Sequence, residues 1–107
     1  MRKSIDISRI EFSDFNWDKG NWRKNWLKHK VTTDESEEIF YNEPILFFRD
    51  EQHSQKEDRF IAYGITDKER LLTVVFTIRK TNIRIISARD QSKKERRIYE
   101  TKKNTQI

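Results

Sequence analysis

The sequence predicts an α+β domain: two helices towards the N-terminus, an antiparallel sheet, and a closing helix. Three observations predict it. Apolar residues gather in short runs bounded by polar turns, as in Ile45-Leu46-Phe47-Phe48 and Leu71-Leu72-Thr73-Val74-Val75-Phe76. Two capping boxes, Thr32-Thr33-Asp34-Glu35 and Ser92-Lys93-Lys94-Glu95, mark helix starts. Trp22 and Trp26, four residues apart with Leu27 beside them, form an apolar stripe at helical spacing.

Taken in order, Ile5, Ile7, Ile10, Phe12 and Phe15 alternate loosely, so residues 1–14 are expected to be an arm or a first strand. Asp18 is a credible N-cap for a helix over Lys19 to Lys30; its Trp22 and Trp26, with Trp17, are expected in the core, and a base-stacking platform is the other reading. A second helix follows Thr32. Its acidic first turn suits the helix dipole, and Asn42-Glu43-Pro44 ends it. Strands are expected at Ile45 to Arg49, Arg59 to Ile65, Leu71 to Ile78 and Ile83 to Arg89, with the third central. The short turns Thr66 to Glu69 and Arg79 to Asn82 imply an antiparallel meander. The last helix starts at Ser92, and 101–107 is expected to fray. The 107 residues make one domain, 1–107.

Charge is distributed unevenly. The net charge is +5, yet residues 34–58 alone carry a balance of −7, with each flanking region and the C-terminal segment at +4. A surface that basic attracts polyanions, or simply keeps a small domain soluble. There is no cysteine, which excludes disulfides and thiolate zinc sites. Two histidines 24 residues apart make no metal motif, and no glycine-rich phosphate loop exists, so no metal or cofactor is expected. No apolar run is long enough to span a bilayer and no signal-peptide pattern opens the chain, so no membrane contact and a cytoplasmic location are expected.

Several clusters, in order, resemble the BrnT family of type II toxin–antitoxin toxins. Phe15-Asn16-Trp17-Asp18 resembles its opening, and Asn25-Trp26-Leu27-Lys28-His29-Lys30-Val31 its N-x-x-K-H-G-V segment. Glu37-Glu38-Ile39-Phe40 and Pro44 follow. Asp50, His53-Ser54 and Glu57-Asp58-Arg59 match D-x-x-H-S and E-x-R, and Gly64 falls on a family glycine. Arg84-Ile85-Ile86-Ser87-Ala88-Arg89 and the closing Glu95-Arg96-Arg97 with Tyr99 complete the series. The resemblance runs from Phe15 to Glu100. It departs at Lys30, where the family has a helix-ending glycine, so this helix must end otherwise, and at Ser36 and Glu37, where alanine is usual. It implies a RelE-like fold and ribonuclease activity against mRNA. It also implies a BrnA-like antitoxin with a ribbon-helix-helix part, and operator DNA bound only through that complex.

RNA cleavage through the 2′-hydroxyl needs a base, an acid and cations around the phosphate. His29 is the first acid–base candidate. A helix C-terminus favours its protonated form, and capping the last carbonyls is the other reading. Glu57 and Arg59, two apart at a strand start, share a face, where a carboxylate beside an arginine serves as base or as orienter, or form a surface ion pair. Arg79, Arg84 and Arg89 gather near the last hairpin and offer guanidinium forks, or bridge to the acidic block. Lys28 is a further phosphate candidate. Arg96 lies on the basic face of the last helix, which contacts RNA, docks the antitoxin or is solvated. Tyr99 either stacks on a base or packs on the sheet. His53 is a loop histidine with no assigned role. Of these, His29, Glu57, Arg59 and Arg89 are the catalytic candidates, and Lys28, Arg79, Arg84, Tyr99 and Arg96 the RNA-binding ones. Two other readings stand beside the ribonuclease: a nucleic-acid-binding module without catalysis, and a structural partner that completes a repressor complex.

Overall fold

A computed structural model describes residues 14–17, 19–53 and 56–105. The N-cap expected at Asp18, and the arm or strand expected before Asp14, lie outside them. The elements are β1 (Asp14–Asn16), α1 (Lys19–His29), α2 (Thr33–Glu38), β2 (Leu46–Arg49), β3 (Arg59–Ile65), β4 (Leu71–Arg79), β5 (Asn82–Asp90) and α3 (Lys93–Thr105). A 3-10 turn, Glu51–His53, breaks the loop between β2 and β3. The sheet order is β1-β5-β4-β3-β2. The antiparallel meander β2 to β5 is as expected, with β4 at its centre. The sheet becomes mixed because β1 pairs in parallel with the first three residues of β5. No helix among the described residues is long and apolar enough to cross a membrane.

Strand alternation sorts the residues onto two faces. One face carries Ala62, Leu72, Val74, Phe76, Ile83, Ile85 and Ala88, and packs under Val31 and Ile39. Aromatic rings fill it. Phe76 meets Phe40 edge-to-face at 5.2 Å, and Phe60 and Phe47 within 6.1 Å. Phe15 brings β1 into this core through Phe40 at 5.4 Å. The opposite face carries Leu46, Phe48, Ile61, Tyr63 and Ile65 around the fully buried Tyr99 of α3.

The helices form where their caps lie. Thr32 and Glu35 make the reciprocal capping box of α2. Ser92 and Glu95 do the same for α3, which continues to Thr105 and so takes in most of the segment expected to fray. Lys30 ends α1 in the way a glycine would. Its φ of 54° is left-handed. The Lys30 N–H donates to the Trp26 carbonyl at 2.9 Å, the single 5→1 bond of the αL cap, and the Val31 N–H donates to the Asn25 carbonyl at 3.4 Å.

The expectation that the Trp stripe of α1 is core is overturned. Trp22 and Trp26 are each 44% exposed and Leu27 62%. The buried position is Asn25. Among the described residues, β1 pairs only with Asn82 to Arg84, which leaves the rest of the outer edge of β5 without a strand partner. Asn25 reaches that edge and accepts the Ala88 N–H at 3.2 Å. A polar side chain is required there, since an unpaired buried N–H is costly. Gly64 has an equally local reason. A Cβ on it would stand 2.7 Å from the Ile39 Cβ, so only glycine lets the exit of α2 approach β3 this closely.

Candidate active site

The face beneath α3 collects the arginines. Arg59 lies opposite Thr77, and Thr77 opposite Arg84, so one rung across β3, β4 and β5 reads Arg59-Thr77-Arg84. Two rungs further on, Tyr63 lies opposite Thr73, and Thr73 opposite Arg89. Arg84 and Arg89 are five apart, so strict alternation puts them on opposite faces. A bulge removes that conflict: Val75 pairs with Ser87 but Phe76 with Ile85, leaving Ile86 as the extra residue. The R-I-I-S-A-R segment therefore presents both arginines on one face.

They stand at opposite ends of it. Thr77 and Thr73 are four residues apart, a separation of roughly 13 Å along the strand. The expectation that Arg79, Arg84 and Arg89 gather near the last hairpin holds for the first two only, because Arg89 is near the far end of β5.

At the hairpin end, Glu57 and Arg79 meet loosely. Both contacts from the Arg79 guanidinium to the Glu57 carboxylate are 3.4 Å, and the side chains are 38% and 53% exposed. Arg59 and Arg84 are half-buried beside them. This end combines a carboxylate with three guanidinium groups on an accessible floor.

At the α3 end, Arg89 is held tightly. Its Nη1 donates to Glu95 Oε1 at 2.7 Å and its Nη2 to Oε2 at 2.9 Å. The Thr73 hydroxyl and the Ser92 N–H donate to the same carboxylate. Burial alone would raise the Glu95 carboxyl. The donors from Arg89, Ser92 and Thr73 outweigh it and hold the group at about 2. The side chain of Glu95 is only 13% exposed and that of Arg89 38%, so this is a bidentate pair whose carboxylate is largely buried.

His29 belongs to the α3 end, where its charge neighbours are Arg89 and Asp90. The expectation of a favoured protonated form is overturned. Partial burial, then Lys28 and Arg89, push the imidazole below its ordinary value against the pull of Asp90. The helix-end carbonyls that would attract the cation are occupied: Arg70 donates to the His29 carbonyl at 3.1 Å and to that of Lys30 at 2.7 Å. The same guanidinium binds Glu35, and both carboxylate oxygens of Asp90. Arg70 thus joins the end of α1, the start of α2 and the end of β5. The sequence reading missed it. Its one signal is a charged residue beside the apolar run of β4, and its partners lie 20 to 41 residues away.

Tyr99 is corrected as an RNA contact. It is fully buried, its hydroxyl donates to the Pro44 carbonyl at 2.6 Å, and burial pushes its pKa up to about 12. Its ring is unavailable for stacking. Lys28 is exposed on α1, and Arg96 is exposed on α3 with Lys93 and Arg97 beside it. His53 closes the 3-10 turn. Among the described residues, no three of His, Cys, Asp and Glu converge as a metal-holding group.

The family model described as the ribonuclease toxin, BrnT, of type II toxin–antitoxin systems matches residues 17–95. The fold is similar to the crystal structure of the Brucella abortus ribonuclease toxin BrnT, with a TM-score of 0.56 and 23% identity, covering 75% of this chain and 97% of that one. No curated protein matches the sequence. The match runs from Trp17 to Glu95, well over half of the chain, and the chain belongs to the BrnT ribonuclease toxins of type II toxin–antitoxin systems.

Proposed function

We propose that this chain cleaves mRNA without a metal ion, and that its cleavage centre is the hairpin end of the face beneath α3. The observation that carries this reading is the Arg59-Thr77-Arg84 rung with Glu57 and Arg79 beside it. The 2′-oxygen of the RNA attacks the adjacent phosphorus and the 5′-oxygen leaves, giving a 2′,3′-cyclic phosphate and a 5′-hydroxyl. Glu57 takes the 2′-hydroxyl proton, and solvent water at this accessible end gives the departing 5′-oxygen its proton. Arg59 and Arg84 hold the phosphate and offset the charge that builds on it. Arg79 exchanges its long contact with Glu57 for the incoming phosphate, which frees the carboxylate to act as a base.

His29 and Arg89, grouped with the catalytic candidates by sequence, stand too far along the strands to share that phosphate. We assign them, with Lys28 and Arg96, to the RNA backbone beyond the cleavage centre. The partner is a BrnA-like antitoxin with a ribbon-helix-helix part, through which the pair reaches operator DNA, and the toxin acts in the cytoplasm.

The test is incubation of the antitoxin-free chain with RNA in EDTA, followed by mapping of the ends. Cleavage with 2′,3′-cyclic phosphate or 3′-phosphate ends, lost in Glu57→Gln and Arg59→Ala, is the expected result. RNA binding without cleavage by the folded wild-type chain would give the lead to the non-catalytic binding module.

A further inference from the structure

The exposed aromatic face of α1 has no role in RNA cleavage as described. Trp22 and Trp26, with Val31, Thr32 and Thr33, line a groove of about 290 Å³ between α1 and α2. Leu27 extends the apolar strip outward, and three large side chains this exposed on one short helix form a patch of the kind that marks a binding surface. The face is kept rather than merely left over. Lys30 sits with its ammonium 5.1 Å from the centre of the Trp26 ring, and its left-handed turn directs the chain into α2 so that the groove has a second wall.

The charges on the two walls differ in sign. Arg23, Lys24 and Lys28 flank the tryptophans on α1 and Lys30 follows its end, while Asp34 stands exposed in the first turn of α2; the carboxylates of Glu35, Glu37 and Glu38 are held by Arg70, Trp17 and the Asp67 N–H. The basic wall favours an anionic partner, and the apolar groove beside it favours aliphatic side chains over a phosphate backbone. A polypeptide helix can satisfy both, with acidic residues towards α1, a basic residue towards α2, and aliphatic anchors between the tryptophans. Membership of a type II toxin–antitoxin family supplies a protein partner.

We propose that the Trp22–Trp26 groove docks an amphipathic, acid-rich helical segment of the antitoxin. The docking site lies on the α1–α2 side of the sheet, away from the arginine rung beneath α3. Neutralisation therefore includes an anchor that does not itself cover the cleavage centre. Buried tryptophans dominate such interfaces, and the surrounding lysines set the orientation and speed of encounter.

The experiment is calorimetric titration of the full chain with its purified antitoxin, for the wild type and for Trp26→Ala, Leu27→Ser and Arg23→Glu. Thermal melts establish that each variant is folded, and all three side chains are exposed enough to be replaced without opening the core. We expect Trp26→Ala to weaken binding at least about tenfold, and Arg23→Glu to weaken it more at low salt than at high salt. The free variants should cleave RNA as the wild type does. Unchanged antitoxin affinity in all three would overturn the proposal. In that case, loss of affinity for a single-stranded RNA oligonucleotide would make the face a base-stacking platform, and loss of a concentration-dependent dimer would make it a self-association surface. Weakening by Arg97→Ala on α3, with no effect from the α1 variants, would also overturn it. The binding readout is independent of cleavage, so it stands or falls separately from the proposed active site.

Discussion

The two arginines of the R-I-I-S-A-R segment sit on one face and do different work. Arg89 makes a bidentate pair at 2.7 and 2.9 Å with the largely buried carboxylate of Glu95. At the other end, near Arg84, Arg79 and Glu57 make a loose pair at 3.4 Å. Sequence pattern treats these ends alike, because both read as arginine among apolar residues near an acid. The difference is desolvation. A short pair whose carboxylate is largely buried and shared with a hydroxyl and a helix-capping N–H holds α3 to the sheet. A pair that is long and exposed contributes little to stability, and can be exchanged for a ligand at small cost.

Substitutions can break this comparison. The largest expected effect is on catalysis: Glu57→Gln should slow RNA cleavage on the order of 100-fold, with thermal stability nearly unchanged, as read by end-mapping kinetics beside a melting curve. Next is Glu95→Ala. It leaves the Arg89 guanidinium half-buried without its partner and removes the α3 capping box, which should cost about 3 kcal/mol in chemical denaturation.

The same pair makes a pH prediction. The folded Glu95 carboxyl titrates at about 2, below its ordinary value of 4.5. Its stabilisation is therefore complete above pH 4.5 and lost as the pH falls through 2. The stability gap between the wild type and Glu95→Gln should close over that window, and a gap independent of pH would show that the pair is not charged as described. Gly64→Ala should cost about 1–3 kcal/mol, because its Cβ meets Ile39. The smallest effect is Lys30→Gly. Relief of the left-handed backbone should stabilise the chain by about 0.5 kcal/mol, partly offset by loss of the Lys30 contact with Trp26. A thermal melt resolves it.

The pattern of legibility follows from the range of the interactions involved. Both capping boxes were readable because each is closed within three residues. The strands of the meander were readable to within about a residue because turn residues and apolar runs are local signals. The stripe of Trp22, Trp26 and Leu27 was read correctly as an apolar helix face and wrongly as core. Periodicity reports that a face is apolar, not what covers it, and here the sheet edge called for the carbonyl oxygen of Asn25 instead. The Ile86 bulge left no local trace, so the common face of Arg84 and Arg89 was not derivable from their spacing. Arg70 was hidden for the opposite reason. Its role exists only when the ends of α1 and β5 are brought together by the fold.

The most direct test of the central claim is the cleavage rate of the antitoxin-free chain carrying Arg84→Ala, set against the rate with Arg89→Lys, each at a temperature where melting shows it fully folded. The account predicts a loss on the order of 100-fold for Arg84→Ala and only a modest change for Arg89→Lys. A severe loss for Arg89→Lys in a folded protein, with Arg84→Ala active, would move the cleavage centre to the α3 end beside His29 and contradict the account.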